Sequence, residues 1–129
     1  MNSIALDTNI AIDVLNENLG VIEKLQAYDL IYLPVTVAGE LLFGAKNSAK
    51  RKNNLNRFRA FIDSCLEIQV DSLIAEEYSD IRLALKKEGR PIPENDIWIA
   101  ATCKVNGLKL MTRDRHFKYV EGLNLEIIE

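Results

Sequence analysis

The sequence predicts an α/β fold for residues 1–129, in a single domain with a mostly parallel sheet covered by helices on both faces. Short apolar runs of strand length alternate with longer segments of helical periodicity along the whole chain. The chain has 129 residues, close to the commonest domain size, and 48% of them are hydrophobic, which is enough for one core. Strands separated by helices imply right-handed crossovers, and these produce parallel pairing.

The first third of the chain is typical of two strands that are each followed by helices. Short runs rich in branched residues predict the strands, and apolar residues three or four positions apart predict the helices. Thr36 is placed to cap the helix after the second strand. In chain order, the predicted elements are a strand at 3–6, helices at 10–15 and 21–28, a strand at 30–35, and a helix that carries Val37, Leu41, Gly44 and Ala45.

The rest of the chain repeats this alternation. The clearest helix follows Asp71, because four apolar residues line one face and Gly89 ends it. Two prolines and a glycine make the segment GRPIPEN a loop. In chain order, the predicted elements are a helix with Leu55, Phe58, Ile62 and Cys65, a strand at 66–70, the helix with Ile74, Tyr78, Ile81 and Leu85, a helix at 96–105, a strand at 109–112, and a candidate fifth strand in LEII.

Composition excludes several classes of protein. The net charge of −3 argues against a protein whose overall electrostatic field attracts nucleic acid, but it allows a local basic patch. No apolar run reaches the ~20 residues of a membrane-spanning helix, and the start of the chain has no export signal, so we expect a cytoplasmic protein without a membrane partner.

Cys65 and Cys103 lie in apolar periodic segments without metal-ligand spacing, which predicts buried reduced thiols.

Four acidic residues stand at or near predicted strand ends and helix starts: Asp7, Glu40, Asp96 and Asp114. Each has an ordinary interpretation. Asp7 can cap a helix, Asp96 can interact with a helix dipole, Asp114 can stabilise a turn, and Glu40 can lie on the surface. However, the carboxyl ends of parallel strands share one edge of a sheet, which is where open α/β sheets gather ligands. The pattern therefore also predicts an acidic cluster.

Clustered carboxylates repel one another unless a cation neutralises them. Mg²⁺ or Mn²⁺ is the expected ion, because both prefer oxygen ligands and a few carboxylates with water suit Mg²⁺. Such an ion polarises a phosphoryl oxygen and lowers the pKa of a bound water. The predicted chemistry is phosphodiester hydrolysis.

Four sequence blocks resemble the PIN-domain nucleases and, within them, the small VapC-type ribonuclease toxins of toxin–antitoxin pairs. The blocks are ALDTNIAIDVL, LPVTVAGELLFGA, RPIPENDIWIAATC and GLKLMTRDRHF. They occur in the family's order and cover most of the segments that carry its functional residues. The resemblance implies a three-layer α/β/α fold and an Mg²⁺-dependent endoribonuclease that a cognate antitoxin neutralises.

The resemblance also assigns roles to individual residues. Asp7 and Asp96 would be the principal metal ligands, and Glu40 and Asp114 would complete the catalytic site, with one of them assisting the attack of water. Many relatives carry a further acid beside the last phenylalanine, where this chain has His116, which we interpret as a solvent-facing loop residue. The residues expected to orient the carboxylates are Thr8, Asn9 and Thr112.

A run of six cations without an intervening acid is a candidate RNA-binding arm. It can equally be a solvated helix face. Two further arginines flank Asp114 and are candidates for the same role. The run comprises Lys46, Lys50, Arg51, Lys52, Arg57 and Arg59, and the two flanking residues are Arg113 and Arg115.

The resemblance further predicts a homodimer that binds an antitoxin. A surplus of large apolar residues around Leu41–Phe43 and Phe58–Ile62 would cover the partner, and an antitoxin Arg or Lys would enter the acidic site. The alternatives are a structure-selective DNA nuclease and a noncatalytic, receiver-like interaction domain. Asn9, two positions after Asp7, disfavours a haloacid-type hydrolase, which needs an aspartate there.

Overall fold

The computed structural model describes residues 1–129, and its centre is a five-stranded parallel sheet in the order β3-β2-β1-β4-β5. A 3₁₀ helix spans Arg115–Tyr119 between the last two strands. The other elements are β1 (Ser3–Leu6), α1 (Thr8–Leu15), α2 (Leu19–Leu25), β2 (Leu30–Pro34), α3 (Val35–Lys46), α4 (Arg51–Ser64), β3 (Leu66–Ile68), α5 (Ser72–Lys87), α6 (Glu94–Val105), β4 (Lys109–Thr112) and β5 (Leu125–Ile127).

Both faces of the central strands are covered. Ile4, Ala5 and Leu6 are consecutive in β1, so they point alternately to opposite faces, and all three are fully buried. Leu110 and Met111 in β4 are likewise fully buried. Burial on both faces is typical of a parallel sheet between two layers of helices. The predicted α/β class is confirmed, and the candidate fifth strand is present.

The chain reverses its direction of travel across the sheet at β1, which pairs with β2 on one side and with β4 on the other. Ligand crevices of open α/β sheets lie at such a switch point, outside the carboxyl ends of the strands. Leu6 is opposite Met111, and the Asp7 amide donates to the Met111 carbonyl over 3.0 Å. The segments that follow β1 and β4 therefore lie side by side. This strand order also differs from the 2-1-3-4-5 order of receiver domains, which removes that alternative.

Local chemistry explains where several helices begin. Asp71 caps α5, because its Oδ1 accepts from the amide of Ile74 over 3.0 Å. Asn18 caps α2 in the same way, because its Oδ1 accepts from the amide of Val21. This helix therefore begins two residues before its predicted start. The prediction that Thr36 caps α3 is wrong. The extended backbone of Pro34 leads directly into the helix at Val35, and Thr36 lies inside the first turn.

Two further features concern the length of the helices and the burial of the cysteines. None of the helices combines the length and the apolar composition that a bilayer crossing requires. Both cysteines are unpaired. Cys103 is buried, as predicted, whereas Cys65 is only half-buried. The prediction of a fully buried Cys65 is wrong because the residue lies at the exposed carboxyl end of α4.

Candidate metal centre

Asp7 lies between β1 and α1 and is only 2% exposed. Its Oδ1 accepts from the Thr8 amide over 2.8 Å, which caps α1. Its Oδ2 accepts from the Thr112 hydroxyl over 2.6 Å and from the Asn9 amide group over 3.2 Å. One carboxylate thus serves as a helix cap and is also held in place by β4.

Burial raises the pKa of Asp7 to about 6. The hydrogen bonds from Thr112 and Thr8 oppose this change, while the negative charges of Asp96 and Asp114 add to it. The carboxylate is therefore ionised at neutral pH only against a cost in free energy. A cation beside it would remove this cost.

Asp96, Asp114 and His116 each offer a ligand atom within 4.8 Å of the other two. Asp96 comes from the first turn of α6, Asp114 follows β4, and His116 lies on the 3₁₀ helix. Burial raises the pKa of Asp96; His116 opposes this, and the charges of Glu40 and Asp114 add to it. Asp7 is not a member of this three-residue group.

Three polar residues connect the carboxylates to one another. The Asn9 amide group donates to Asp7 over 3.2 Å and to Asp114 over 3.4 Å. The Thr112 hydroxyl donates to Asp7 and accepts from the Asp114 amide over 3.0 Å. The Thr8 hydroxyl donates to Glu40. The structure thus places Thr8, Asn9 and Thr112 in contact with the acidic residues that they are predicted to orient.

The interpretation of His116 as a solvent-facing residue is wrong. Its Nε2 lies 2.8 Å from Oδ2 of Asp96, and its side chain is 28% exposed. The 3₁₀ helix turns the ring back toward α6, a direction that the sequence around it does not reveal. The available signal was its position, two residues after Asp114.

His116→Ala should raise the metal concentration needed for half-maximal activity by roughly 10–100-fold, the usual effect of losing a residue that orients a metal ligand. His116→Gln should restore part of the affinity, because an amide can still donate to Asp96. Isothermal titration with Mg²⁺ measures the effect independently of turnover. Lys118→Gln, at an exposed position nearby, is the control, and equal affinities in all four proteins would contradict an orienting role.

The two arginines beside Asp114 already have acidic partners. Arg113 Nε lies 2.7 Å from Asp13 Oδ2, and its Nη1 donates to the Glu129 carbonyl over 3.0 Å. Arg115 Nη2 contacts both carboxylate oxygens of Glu129, over 2.6 and 2.8 Å. Part of each guanidinium is therefore already engaged with an acidic residue or with the backbone. The sequence does not predict that Asp13 and Glu129 pair with these arginines, because both acids lie far along the chain from their partners.

The basic run is exposed and free of ion pairs with acids. Lys46 ends α3, and α4 begins at Arg51 and packs against α3. Because Lys46 is six residues beyond Glu40, it lies about 9 Å farther along the helix axis. Arg57 donates to the Leu15 carbonyl over 2.5 Å, so it also joins α4 to α1.

The predicted apolar surplus is mostly absorbed by the core. Leu41 is buried, and Phe58, Phe61 and Ile62 are partly buried and packed against core residues. Only Phe43 in this set is strongly exposed, at 70%. Because α4 packs on α3 and covers most of this set, Phe43 is the main apolar side chain left to cover a partner.

The donor set fits a hard divalent cation. Carboxylate oxygens from separate segments converge, two of their carboxyl groups have raised pKa values, and no lysine or arginine pairs with Asp7, Asp96 or Asp114. His116 is hydrogen-bonded to Asp96 and offers a ligand atom in the same group. The arrangement can hold a cation and orient water beside it.

Comparison with known proteins gives consistent matches over nearly the whole chain. Residues 4–123 match the family model of the PIN domain. Ribonuclease VapC2 of Haemophilus influenzae is 32% identical over 125 residues, covering 94% of each chain. The tRNA(fMet)-specific endonuclease VapC of Shigella flexneri has the same identity and coverage.

Solved structures show the same arrangement of the chain. The DNA-bound VapBC of Salmonella typhimurium matches with a TM-score of 0.90 and 25% identity, over 98% of both chains. VapBC2 of Rickettsia felis, bound to a DNA fragment from its promoter, matches with a TM-score of 0.88 and 25% identity, over 98% of this chain and 99% of that one.

Proposed function

The chain belongs to the PIN-domain family, and from this premise we propose that it is a metal-dependent endoribonuclease of the VapC type, acting as a toxin that a cognate antitoxin neutralises. The observation that carries the proposal is the convergence of Asp7, Glu40, Asp96 and Asp114 at the switch point of the sheet. Relatives named as ribonucleases support RNA as the substrate. Action in the cytoplasm is part of the proposal.

Asp7 and Asp96 would be the principal ligands of the ion, and Glu40 and Asp114 would complete the site through direct or water-mediated contacts. We assign Mg²⁺, or Mn²⁺ in its place, because the donors are carboxylate oxygens. The bound ion would supply polarisation of the phosphoryl oxygen and a more acidic water. His116 would keep Asp96 in its orientation, and Asn9 and Thr112 would fix Asp7 and Asp114.

Glu40 is the proposed acceptor of the proton from the attacking water, with Asp114 as the alternative acceptor. Glu40 is bonded to Thr8 through one oxygen, Oε2. Asp114 accepts a bond of 3.4 Å from Asn9 through its Oδ2. Each carboxylate therefore has a second oxygen that can accept a proton. Hydrolysis would then proceed by in-line attack on the phosphodiester.

The activity is tested by incubating the purified protein with total RNA and Mg²⁺, with and without chelator. Cleavage should depend on the metal and disappear on chelation. An Asp96→Asn preparation made in parallel excludes contaminating nucleases, many of which need no metal. Absence of cleavage under all metal conditions would contradict the proposal.

The basic run is the proposed binding surface for the RNA backbone. Replacing Lys50, Arg51 and Lys52 with Gln should weaken RNA binding and reduce the slope of log K against log salt by about 2, since each single-strand phosphate contact contributes roughly 0.7. Cleavage at saturating RNA should persist. The matched control replaces three exposed lysines elsewhere: Lys24, Lys86 and Lys87. An equal slope in the two triple variants would assign the run to a solvated face or a protein contact.

An antitoxin would block the acidic site by inserting an Arg or Lys side chain, which supplies positive charge without an activated water. Solved relatives named as VapBC toxin–antitoxin complexes support a protein partner. The gene adjacent to this one should encode a short protein whose co-expression suppresses the RNase activity. Full activity in a stable complex would rule out the blocked-site arrangement.

A homodimer is also part of the proposal. Sedimentation velocity at micromolar concentration should give the mass of two chains. A sharply monomeric profile would refute the dimer without affecting the assignment of the acidic site.

A further inference from the structure

An open cleft of about 530 Å³ lies beside the acidic site. Four of its lining residues occupy one face of α3, at positions 36, 39, 40 and 43, the spacing that stacks side chains along a helix. The opposite wall comes from α1 and from the start of α6, next to Asp96. The complete lining is Thr8, Thr36, Gly39, Glu40, Phe43 and Asn95.

The polar groups of this cleft suit a neutral ligand with hydroxyl groups. Thr36, Thr8 and Asn95 offer hydroxyl and amide groups, and Glu40 offers carboxylate oxygens. The Thr36 hydroxyl is buried and is the only buried side-chain oxygen or nitrogen without a hydrogen-bond partner in the protein. Such a group calls for an explanation. Because Thr36 lines the cleft, a ligand hydroxyl bound there would supply the partner once the Thr36 side chain rotates toward the opening. The Glu40 carboxylate disfavours a phosphate in this position.

Phe43 provides an apolar wall at the outer end of the cleft. Its side chain is 70% exposed, while Leu41 is buried and Phe58, Phe61 and Ile62 are packed against the core. An exposed aromatic ring beside a polar pocket is a platform on which a nucleobase can stack.

Gly39 leaves the floor of the cleft open. Glycine in the middle of a helix is unfavourable relative to alanine, and here a Cβ would meet no atom within 4 Å. Packing of the protein therefore does not require glycine. A ligand that crosses the helix closely would require it.

We propose that this cleft recognises one ribonucleotide next to the scissile phosphate, with its 2′-hydroxyl against Thr36 and Glu40 and its base on Phe43. The inference rests on the proposed ribonuclease activity and adds the site that would distinguish RNA from DNA, because the 2′-hydroxyl is the group that separates them.

The first experiment uses a short RNA cleaved by the enzyme and a series in which one nucleotide at a time is 2′-deoxy. One position beside the cleavage site should show a loss in kcat/KM of roughly tenfold, as expected for one hydrogen bond to a charged group, and Thr36→Val should reduce this selective loss. A flat series, or an equal loss in Thr36→Val, would overturn the subsite while leaving ribonuclease activity intact. Failure to cleave the all-RNA oligonucleotide would instead overturn the proposed function.

The second experiment compares Gly39→Ala with Gly44→Ala. Both glycines are exposed, both lie in α3, and a Cβ would meet nothing at either position, but only Gly39 lines the cleft. Both variants should melt at or above the wild-type temperature. Only Gly39→Ala should lower kcat/KM, by roughly tenfold or more, since small displacements of a bound substrate have effects of this size. Equal activity of the two variants would overturn the close approach of RNA to α3.

Discussion

Asp96→Asn is expected to lower the rate of metal-dependent RNA cleavage by more than about a hundredfold, since loss of a residue that merely orients a ligand already costs 10–100-fold. The amide keeps the size of the side chain but loses the charge that would bind the ion. Asp96 is half-buried in the first turn of α6, with Asp114 and His116 around it. Single-turnover cleavage of a defined RNA, over a range of Mg²⁺ concentrations, measures the change.

Asp63→Asn is the matched control for this loss of activity. Asp63 is exposed on α4 and forms no ion pair, so the same chemical change should leave both the rate and the melting temperature unchanged. Asp7→Asn should also remove activity. Cleavage by Asp96→Asn at the wild-type rate would exclude the proposed ion ligand, provided that thermal denaturation shows the same folded state.

The metal-free protein is expected to lose stability as the pH rises through about 6, because the pKa of Asp7 is raised from 3.8 to about 6 in the folded state. Below the unfolded pKa the carboxyl group is protonated in both states, and it contributes no penalty. Above the folded pKa it is ionised in both states, and folding must bury the charge. At 1.36 kcal/mol per pKa unit, the penalty is about 3 kcal/mol.

Urea denaturation in chelator, at about pH 5 and about pH 8, measures this dependence. Asp7→Asn has no group to titrate at this position, so its stability difference between the two pH values should be smaller than that of the wild type by about 1.4 kcal/mol, the part of the penalty that arises between pH 5 and the folded pKa. Any stability that the variant loses equally at both pH values, through its missing hydrogen bonds, cancels in this difference. Saturating Mg²⁺ should reduce the wild-type dependence as well, because it stabilises the folded, ionised form. Identical pH dependence in the two proteins would show that Asp7 titrates normally.

Asp7 shows how two sequence interpretations can both hold. The sequence allowed either a helix cap or a member of an acidic site, and the structure places one oxygen in each setting. A carboxylate has two oxygens that accept independently, so local and long-range roles do not compete. The capping role follows from neighbouring residues, whereas the contact with Thr112 requires the pairing of β1 with β4.

The sequence did not predict the contacts of three residues, for one common reason. These residues are His116, Arg113 and Arg115. Their partners are Asp96, Asp13 and Glu129, each at least 14 residues away along the chain. A sequence pattern identifies the charge of a side chain and the element that carries it. It does not identify which charge from another element will lie opposite.

The sequence by itself determined the alternation of strands and helices, the parallel sheet that follows from it, and the edge of that sheet at which the acidic residues gather. These features depend on local periodicity and on the short connections between neighbouring elements. Only the tertiary structure decided that Asp96 groups with Asp114 and His116 while Asp7 is tied to Thr112, and that Thr36, Gly39 and Phe43 border one cleft. Those relations depend on how α3, α6 and the 3₁₀ helix pack across the sheet, and such distances between remote segments are set by the core as a whole.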